Sequence, residues 1–232
     1  LGQDPADNKS VASTTDFMGG VASSSLEGKR LGVFSNLMED NEIYKSTVEK
    51  LKELGAEIVV FTPPTAEMQG FLSILNIDMK NDLPAYLNTH VKDKDAIKIG
   101  SVQDAIAFNN MDSLVRIPYG QQLFEGIVAD STTAEGLEEI KSRLEKTGRM
   151  FFDTAMDKSN LDAILSINNY HAGYAAVAKY PALTVPMGYK ETGEPISLTF
   201  IGKQFQEDKL LALGRAFEMG TKVRKTPEAF KN

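Results

Sequence analysis

The sequence predicts an α/β fold: a three-layer α/β/α sandwich in which helices flank a mostly parallel, mixed sheet. Two observations indicate this class. First, an apolar run, an amphipathic segment and a second apolar run follow one another between residues 30 and 61, which is the pattern of a right-handed βαβ crossover. Second, the continuous apolar runs of strand length are few, and we expect all of them to share one sheet. These runs are residues 30–35, 57–61, 162–167, 182–188 and 196–201.

For the first third of the chain, the sequence predicts a lead-in segment followed by one βαβ crossover unit. Residues 1–29 are rich in Asp, Asn, Ser, Thr and Gly and show little periodicity, so we expect an extended segment on the surface. Residues 41–54 carry apolar side chains at helical spacing, and Gly55 follows as a C-terminal cap. The strand before this helix and the strand after it should therefore run parallel.

For the rest of the chain, the sequence predicts further helices around the sheet strands. We expect a helix over 66–88 with a kink or restart near Pro84, and an irregular loop over 117–130 because Pro118, Gly120 and Gly126 interrupt it. Other helices are indicated by apolar periodicity, at 104–110, 133–156 and 208–221.

Composition restricts the possible chemistry. The 25 basic and 32 acidic residues give a net charge of −7, which disfavours direct binding of nucleic acid. The absence of cysteine excludes disulfides, thiolate zinc sites and a cysteine nucleophile, and two histidines far apart in sequence do not favour a metal site, so we expect no cofactor. No window approaches the run of about 20 apolar residues that a membrane helix needs. We expect a soluble protein, with the cytoplasm slightly favoured over export.

Residues 161–217 carry the most specific pattern. Leu161-Asp-Ala-Ile-Leu-Ser-Ile167 is followed by a segment of small residues, then by Tyr180-Pro-Ala-Leu-Thr-Val-Pro186, then by a strand that ends at Gly202 before a final helix. These pieces, in this order, resemble the C-terminal third of enzymes of the amidase signature family. The resemblance implies the α/β fold of that family.

Weaker segments extend the resemblance over nearly the whole chain. The stretches 1–7 and 26–33 are similar to family segments that follow the conserved central helix. The stretches 78–87, 105–109 and 118–121 are similar to peptide amidases and related bacterial amidases. The resemblance therefore implies the peptide amidase-like bacterial branch.

In this family, carboxamides are hydrolysed through a serine nucleophile, a second serine with a cis peptide, and a lysine. The family segments that carry these three residues would precede Leu1, so the resemblance implies no catalytic residue in this chain. We expect residues 30–232 to be the C-terminal part of an amidase signature domain whose N-terminal catalytic half is absent. The chain alone should then be inactive.

A glycine-serine segment offers an alternative location for the nucleophile. Gly19-Gly-Val-Ala-Ser-Ser-Ser25 looks like the family's glycine-serine motif, but it lies directly before the strand entry at 26–33 and only Lys9 precedes it. We interpret the segment as a flexible polar linker.

Two loops contain candidates for the substrate pocket. Residues Asn168, Asn169, Tyr170 and His171 follow a predicted strand, and loops beyond the carboxyl ends of strands line the ligand crevice of open α/β sheets. Tyr119 and Gln121 lie in a Pro/Gly loop where a phenol and an amide could hold a carboxamide. Both sets could instead satisfy the backbone of their own loops.

Three functions remain open from the sequence alone. The leading one is part of an amidase, with a small-molecule or peptide amide as its substrate; an amidotransferase A-type subunit is the alternative within the family. The second is a small-ligand-binding module built on the crossover unit, although this unit lacks the glycine-rich turn of a phosphate cradle. The third is a non-catalytic scaffold. For a part of a larger domain we also expect self-association through exposed apolar surface.

Overall fold

A computed structural model describes residues 2–7, 9–93, 95–227 and 230. The first residue of the 1–7 motif, Leu1, lies outside the described residues. The described residues of 2–29 form turns and no helix or strand. The elements that follow are β1 (Arg30–Phe34), α1 (Ser35–Asp40), α2 (Glu42–Glu53), β2 (Glu57–Phe61), α3 (Phe71–His90), α4 (Val102–Asn110), α5 (Ser113–Arg116), α6 (Gln122–Ala129), α7 (Ala134–Ser159), β3 (Ala163–Ile167), α8 (Ala172–Ala178), β4 (Ala182–Tyr189), β5 (Pro195–Ile201) and α9 (Glu207–Thr221).

The chain divides into two compact units. One unit comprises Leu1–Ala66 and Lys146–Asn232, and the other comprises Glu67–Glu145. The chain therefore passes between the units twice, after Ala66 and within α7. All five strands belong to the first unit. None of the helices in the described ranges is both long enough and apolar enough to cross a membrane.

The five strands form one sheet, as the sequence predicts. Their order is β2-β1-β3-β5-β4. The pairs β2–β1 and β1–β3 are parallel, while β5 pairs antiparallel with both β3 and β4. Four strands therefore run in one direction and β5 alone runs in the opposite direction, which confirms a mixed sheet that is mostly parallel.

Helices cover both faces of this sheet. On one face, the Tyr44 hydroxyl of α2 donates to the Leu165 carbonyl at 2.9 Å, and Phe217 of α9 packs on Phe200 of β5 at 6.1 Å between ring centroids. On the other face, Phe151 of α7 packs on Phe34 of β1 at 5.8 Å. Strand β3 lies at the centre and is buried at all its positions, because both of its faces are covered by helices.

The second unit is built from α3, α4, α5, α6 and the first part of α7. The predicted irregular loop over 117–130 is wrong in its second half, where α6 forms. The reason is tertiary packing: Ile127 of α6 is buried in a small cluster with Val102 and Ile106 of α4. Gly126 has open space around its Cα and is tolerated in the helix.

Two further predictions of local structure need correction. The segment after β1 continues directly into α1, so Ser35 is helical and does not end the strand. Helix α3 begins at Phe71 and not at residue 66, because Gly70 adopts a left-handed conformation with φ of 82° before it. Pro84 lies inside α3, and the helix continues through it to His90.

Candidate functional site

The loop after β3 turns at Asn168, which has a φ of 46°. Asparagine tolerates this left-handed conformation better than most residues with a side chain. The loop is fixed to the neighbouring strand β5. The Asn168 N–H donates to the Ser197 carbonyl at 2.9 Å, the Ser197 N–H donates to Asn168 Oδ1 at 2.8 Å, and the Thr199 hydroxyl donates to the Asn168 carbonyl at 2.6 Å.

Asn168 is therefore held within the fold, whereas the next two residues are exposed. The Asn169 carbonyl accepts from the Ala172 N–H at 3.0 Å, at the start of α8, and its side chain faces solvent. Tyr170 is 59% exposed. Of the four residues predicted for this pocket, Asn169 and Tyr170 are the two whose side chains are most accessible to a ligand.

The His171 side chain returns from the loop to the sheet. Its ring stacks on Phe34 at 4.1 Å between centroids and 14° between planes. Its Nδ1 lies 2.6 Å from the Ser166 hydroxyl of β3. Burial lowers the pKa of His171 to about 4, because desolvation disfavours the charged imidazolium, so the ring is neutral at pH 7.

No sequence motif distinguishes Ser166 from its neighbours. It lies in an apolar run, and its role appears only when the loop brings His171 back over the strand. The signal available was a lone hydroxyl in an apolar strand that precedes a histidine by five residues. Ser166 is 1% exposed, so its hydroxyl cannot reach a substrate carbonyl, and the Ser166–His171 pair is not a nucleophile with its base.

Hydroxyl groups continue from this site across the same face of the sheet. Ser166 pairs in register with Thr199, and Thr199 pairs with Thr184 of the edge strand β4. The Thr199 and Thr184 hydroxyl oxygens lie 2.9 Å apart, and Thr184 is exposed. A row of hydroxyl groups thus crosses this face of the sheet, from the buried Ser166 and Thr199 to the exposed Thr184.

Tyr119 and Gln121 belong to the second unit and differ in their surroundings. Tyr119 is 97% exposed. The Gln121 amide accepts from Asn109 at 3.2 Å and donates to Asn110 at 2.8 Å, so it fastens its loop to the end of α4. Both residues line a cavity of about 370 Å³ together with Arg116.

The serine run before β1 has no catalytic surroundings in the structure. Ser24 and Ser25 line a cavity of about 500 Å³, and the described residues of its wall include Arg215 but no lysine or histidine. The Ser25 hydroxyl accepts from the Glu27 N–H at 3.0 Å and shapes the turn into β1. In the described part of the chain, no group of three His, Cys, Asp or Glu side chains is arranged to hold a metal ion.

Solved structures superpose on this arrangement of elements, and a known sequence is similar to that of this chain. An amidase family protein from Bacillus anthracis matches 96% of this chain with a TM-score of 0.82 and 28% identity, and the match covers 45% of that protein. The peptide amidase of Stenotrophomonas maltophilia matches 99% of this chain with a TM-score of 0.83 and 25% identity, over 51% of its own length. A probable amidase of Arabidopsis thaliana is 29% identical over 98% of this chain and 46% of its own length.

Over nearly its whole length, the chain is therefore similar to amidases. No protein-family model matches it. It spans about half the length of the amidases that it matches.

Proposed function

We propose that this chain is the C-terminal half of an amidase, which cleaves a carboxamide C–N bond with water to release a carboxylic acid and ammonia or an amine. The observation that carries the proposal is the pattern of coverage. Two amidase structures superpose on 96% and 99% of this chain but extend to about twice its length. The remaining half would supply the family's nucleophilic serine, the second serine with a cis peptide, and the lysine.

The surroundings of Ser24 and Ser166 support the assignment of catalysis to the other half. A serine nucleophile needs a base within hydrogen-bond reach and access to the substrate. Ser166 has a histidine at 2.6 Å but is 1% exposed. Ser24 lines a cavity, but no lysine or histidine lines it among the residues that the structure describes. Neither serine meets both conditions.

In this proposal the loop at the carboxyl end of β3 contributes to the substrate pocket. The exposed amide of Asn169 can both donate to and accept from a carboxamide. His171 contributes a neutral ring that is held in one orientation by Phe34 and Ser166. Asn168 contributes indirectly, because its hydrogen bonds to Ser197 and Thr199 fix the direction of the loop.

The test compares this chain with the full-length protein that contains it. Both are assayed for ammonia release from a panel of primary carboxamides and C-terminally amidated peptides. We expect turnover by the full-length protein and none above background by this chain alone. If the full-length protein contains the lysine and serines of the family and still cleaves no amide in the panel, the proposed activity is wrong. Turnover by this chain alone would contradict the assignment of catalysis to the other half.

A further inference from the structure

Ser166 is the only hydroxyl-bearing residue of β3, whose sequence is Ala-Ile-Leu-Ser-Ile. Its side chain lies on the face of the sheet that α7 and α8 cover, and it is almost completely buried. The hydroxyl oxygen lies 2.6 Å from Nδ1 of His171. A short hydrogen bond in a buried position constrains both groups, because neither can exchange it for a bond to water.

The direction of this hydrogen bond depends on which acceptor is available to the Ser166 hydroxyl proton. If Nδ1–H donated to Ser166, the serine proton would need a second acceptor, and the described residues place none at hydrogen-bond distance from it. A buried donor without an acceptor costs about 1–3 kcal/mol. Ser166 therefore donates to Nδ1. A neutral imidazole that accepts at Nδ1 must carry its proton on Nε2.

The orientation of the ring is also fixed. Phe34 stacks on it at 4.1 Å, and Phe151 lies 5.7 Å away. Within the described residues, Nε2 has no hydrogen-bond partner and does not belong to the buried polar atoms that lack one, so it is accessible to solvent. The His171 ring thus presents one N–H group, on Nε2, to solvent, in the same loop as the exposed Asn169.

We propose that Ser166 is a positioning residue that fixes His171 in its Nε2–H tautomer, so that His171 donates a hydrogen bond to the carbonyl oxygen of a carboxamide substrate. The identity of the acceptor rests on the proposed amidase function, whereas the tautomer does not. The low pKa of His171 supports the proposal, because a neutral ring offers a donor without attracting carboxylates as an imidazolium would.

The tautomer can be measured directly by NMR, through the long-range coupling of ring nitrogens and ring protons at pH 7. This chain contains two histidines, His90 and His171, and the exposed His90 serves as the internal reference. We expect Nδ1 of His171 to be unprotonated in the unaltered chain. In Ser166→Ala we expect a mixture of both tautomers at His171. Ser197→Ala removes a hydroxyl from the neighbouring strand that does not bond to His171, and should leave the tautomer unchanged.

A matched pair separates the hydroxyl from the shape of the side chain. Ser166→Thr keeps a hydroxyl donor. Ser166→Val introduces a side chain of nearly the same shape as threonine but without a hydroxyl. We expect the Nε2–H tautomer in the threonine variant and its loss in the valine variant. An Nδ1–H signal in the unaltered chain, or a pure Nε2–H tautomer in Ser166→Ala, would overturn the positioning role. If threonine and valine do not fit at this position, Ser166→Ala alone still tests whether the hydroxyl fixes the tautomer.

The substrate contact is tested in the full-length enzyme. Loss of an oriented donor should lower kcat/KM by about 2- to 10-fold in Ser166→Ala, with recovery in Ser166→Thr. If Ser166→Ala shows the mixed tautomer but full kcat/KM, the contact with substrate is wrong although the tautomer is right. An unaltered enzyme that cleaves no amide would refute the proposed function, and the NMR result would still decide the role of Ser166.

Discussion

Replacing Asn168 tests whether this residue supports the loop. Asn168→Ala removes the bond from the Ser197 N–H to Oδ1, which is 2.8 Å long, and leaves alanine at a φ of 46°. The hydrogen bond contributes about 0.5–1.5 kcal/mol. The left-handed conformation costs a residue with a Cβ about 1–2 kcal/mol, whereas asparagine tolerates it. The variant should therefore be about 1.5–3.5 kcal/mol less stable than the unaltered chain.

Two further variants separate these contributions. Asn168→Gly loses the same hydrogen bond but adopts a positive φ without strain, so we expect it to be about 1 kcal/mol more stable than Asn168→Ala. Asn168→Asp keeps an acceptor oxygen and tolerance of the conformation, and should remain close to the unaltered chain.

Urea unfolding followed by circular dichroism measures the differences in free energy, provided that the slopes of the variants agree. In thermal unfolding, each kcal/mol should lower Tm by about 2–4 °C for a protein of this size. Equal midpoints for Asn168→Ala and the unaltered chain would show that the loop does not depend on this residue. If Asn168→Gly is less stable than Asn168→Ala, the positive φ at this position does not strain alanine as argued.

Three other predictions concern activity and association. In the full-length enzyme, Asn169→Ala should lower kcat/KM by a few-fold to a hundred-fold without changing Tm, because the Asn169 side chain is exposed. His171→Ala should lower both kcat/KM and Tm. If Asn169→Ala and His171→Ala keep full activity but lose stability, the loop is purely structural. This chain and its Ser24→Ala variant should show the same background hydrolysis, and a turnover that only the variant loses would restore the serine run as a nucleophile. The chain should self-associate at high concentration, as measured by sedimentation. Leu75 and Met79 are 51% and 44% exposed on α3, and charged residues at these positions should weaken the association. A monomer without dye-binding apolar surface would contradict the predicted self-association.

The sheet could be predicted from the sequence because each strand is a continuous apolar run bounded by turn residues. The run at 162–167 becomes a strand that is buried at every position, as expected for the centre of such a sheet. The helices of the second unit were harder to predict. Helix α6 contains Gly126 and follows Pro118 and Gly120, and it is stabilised by burial of Ile127 against α4, which no local pattern shows.

The loop between β3 and α8 could also be predicted from the sequence. Its place at a ligand crevice, which follows from the rule that such crevices lie beyond the carboxyl ends of strands, stays a prediction. The roles of its residues could not be predicted. The sequence does not distinguish Asn168 from Asn169, yet one is bonded to β5 and the other is exposed. This difference depends on the positive φ of Asn168, which asparagine permits but does not require.

The geometry of the loop is fixed by a strand that comes later in the chain. Thr199 of β5 pairs with Ser166 of β3, so both side chains lie on one face, and from there the Thr199 hydroxyl reaches the Asn168 carbonyl. The same register places Phe200 on the opposite face, where it packs on Phe217. Because successive side chains alternate between faces, a shift of one residue would move Phe200 away from Phe217 and would also remove the support of Asn168. Burial of an aromatic core residue on one face of the sheet therefore also holds the polar loop on the other.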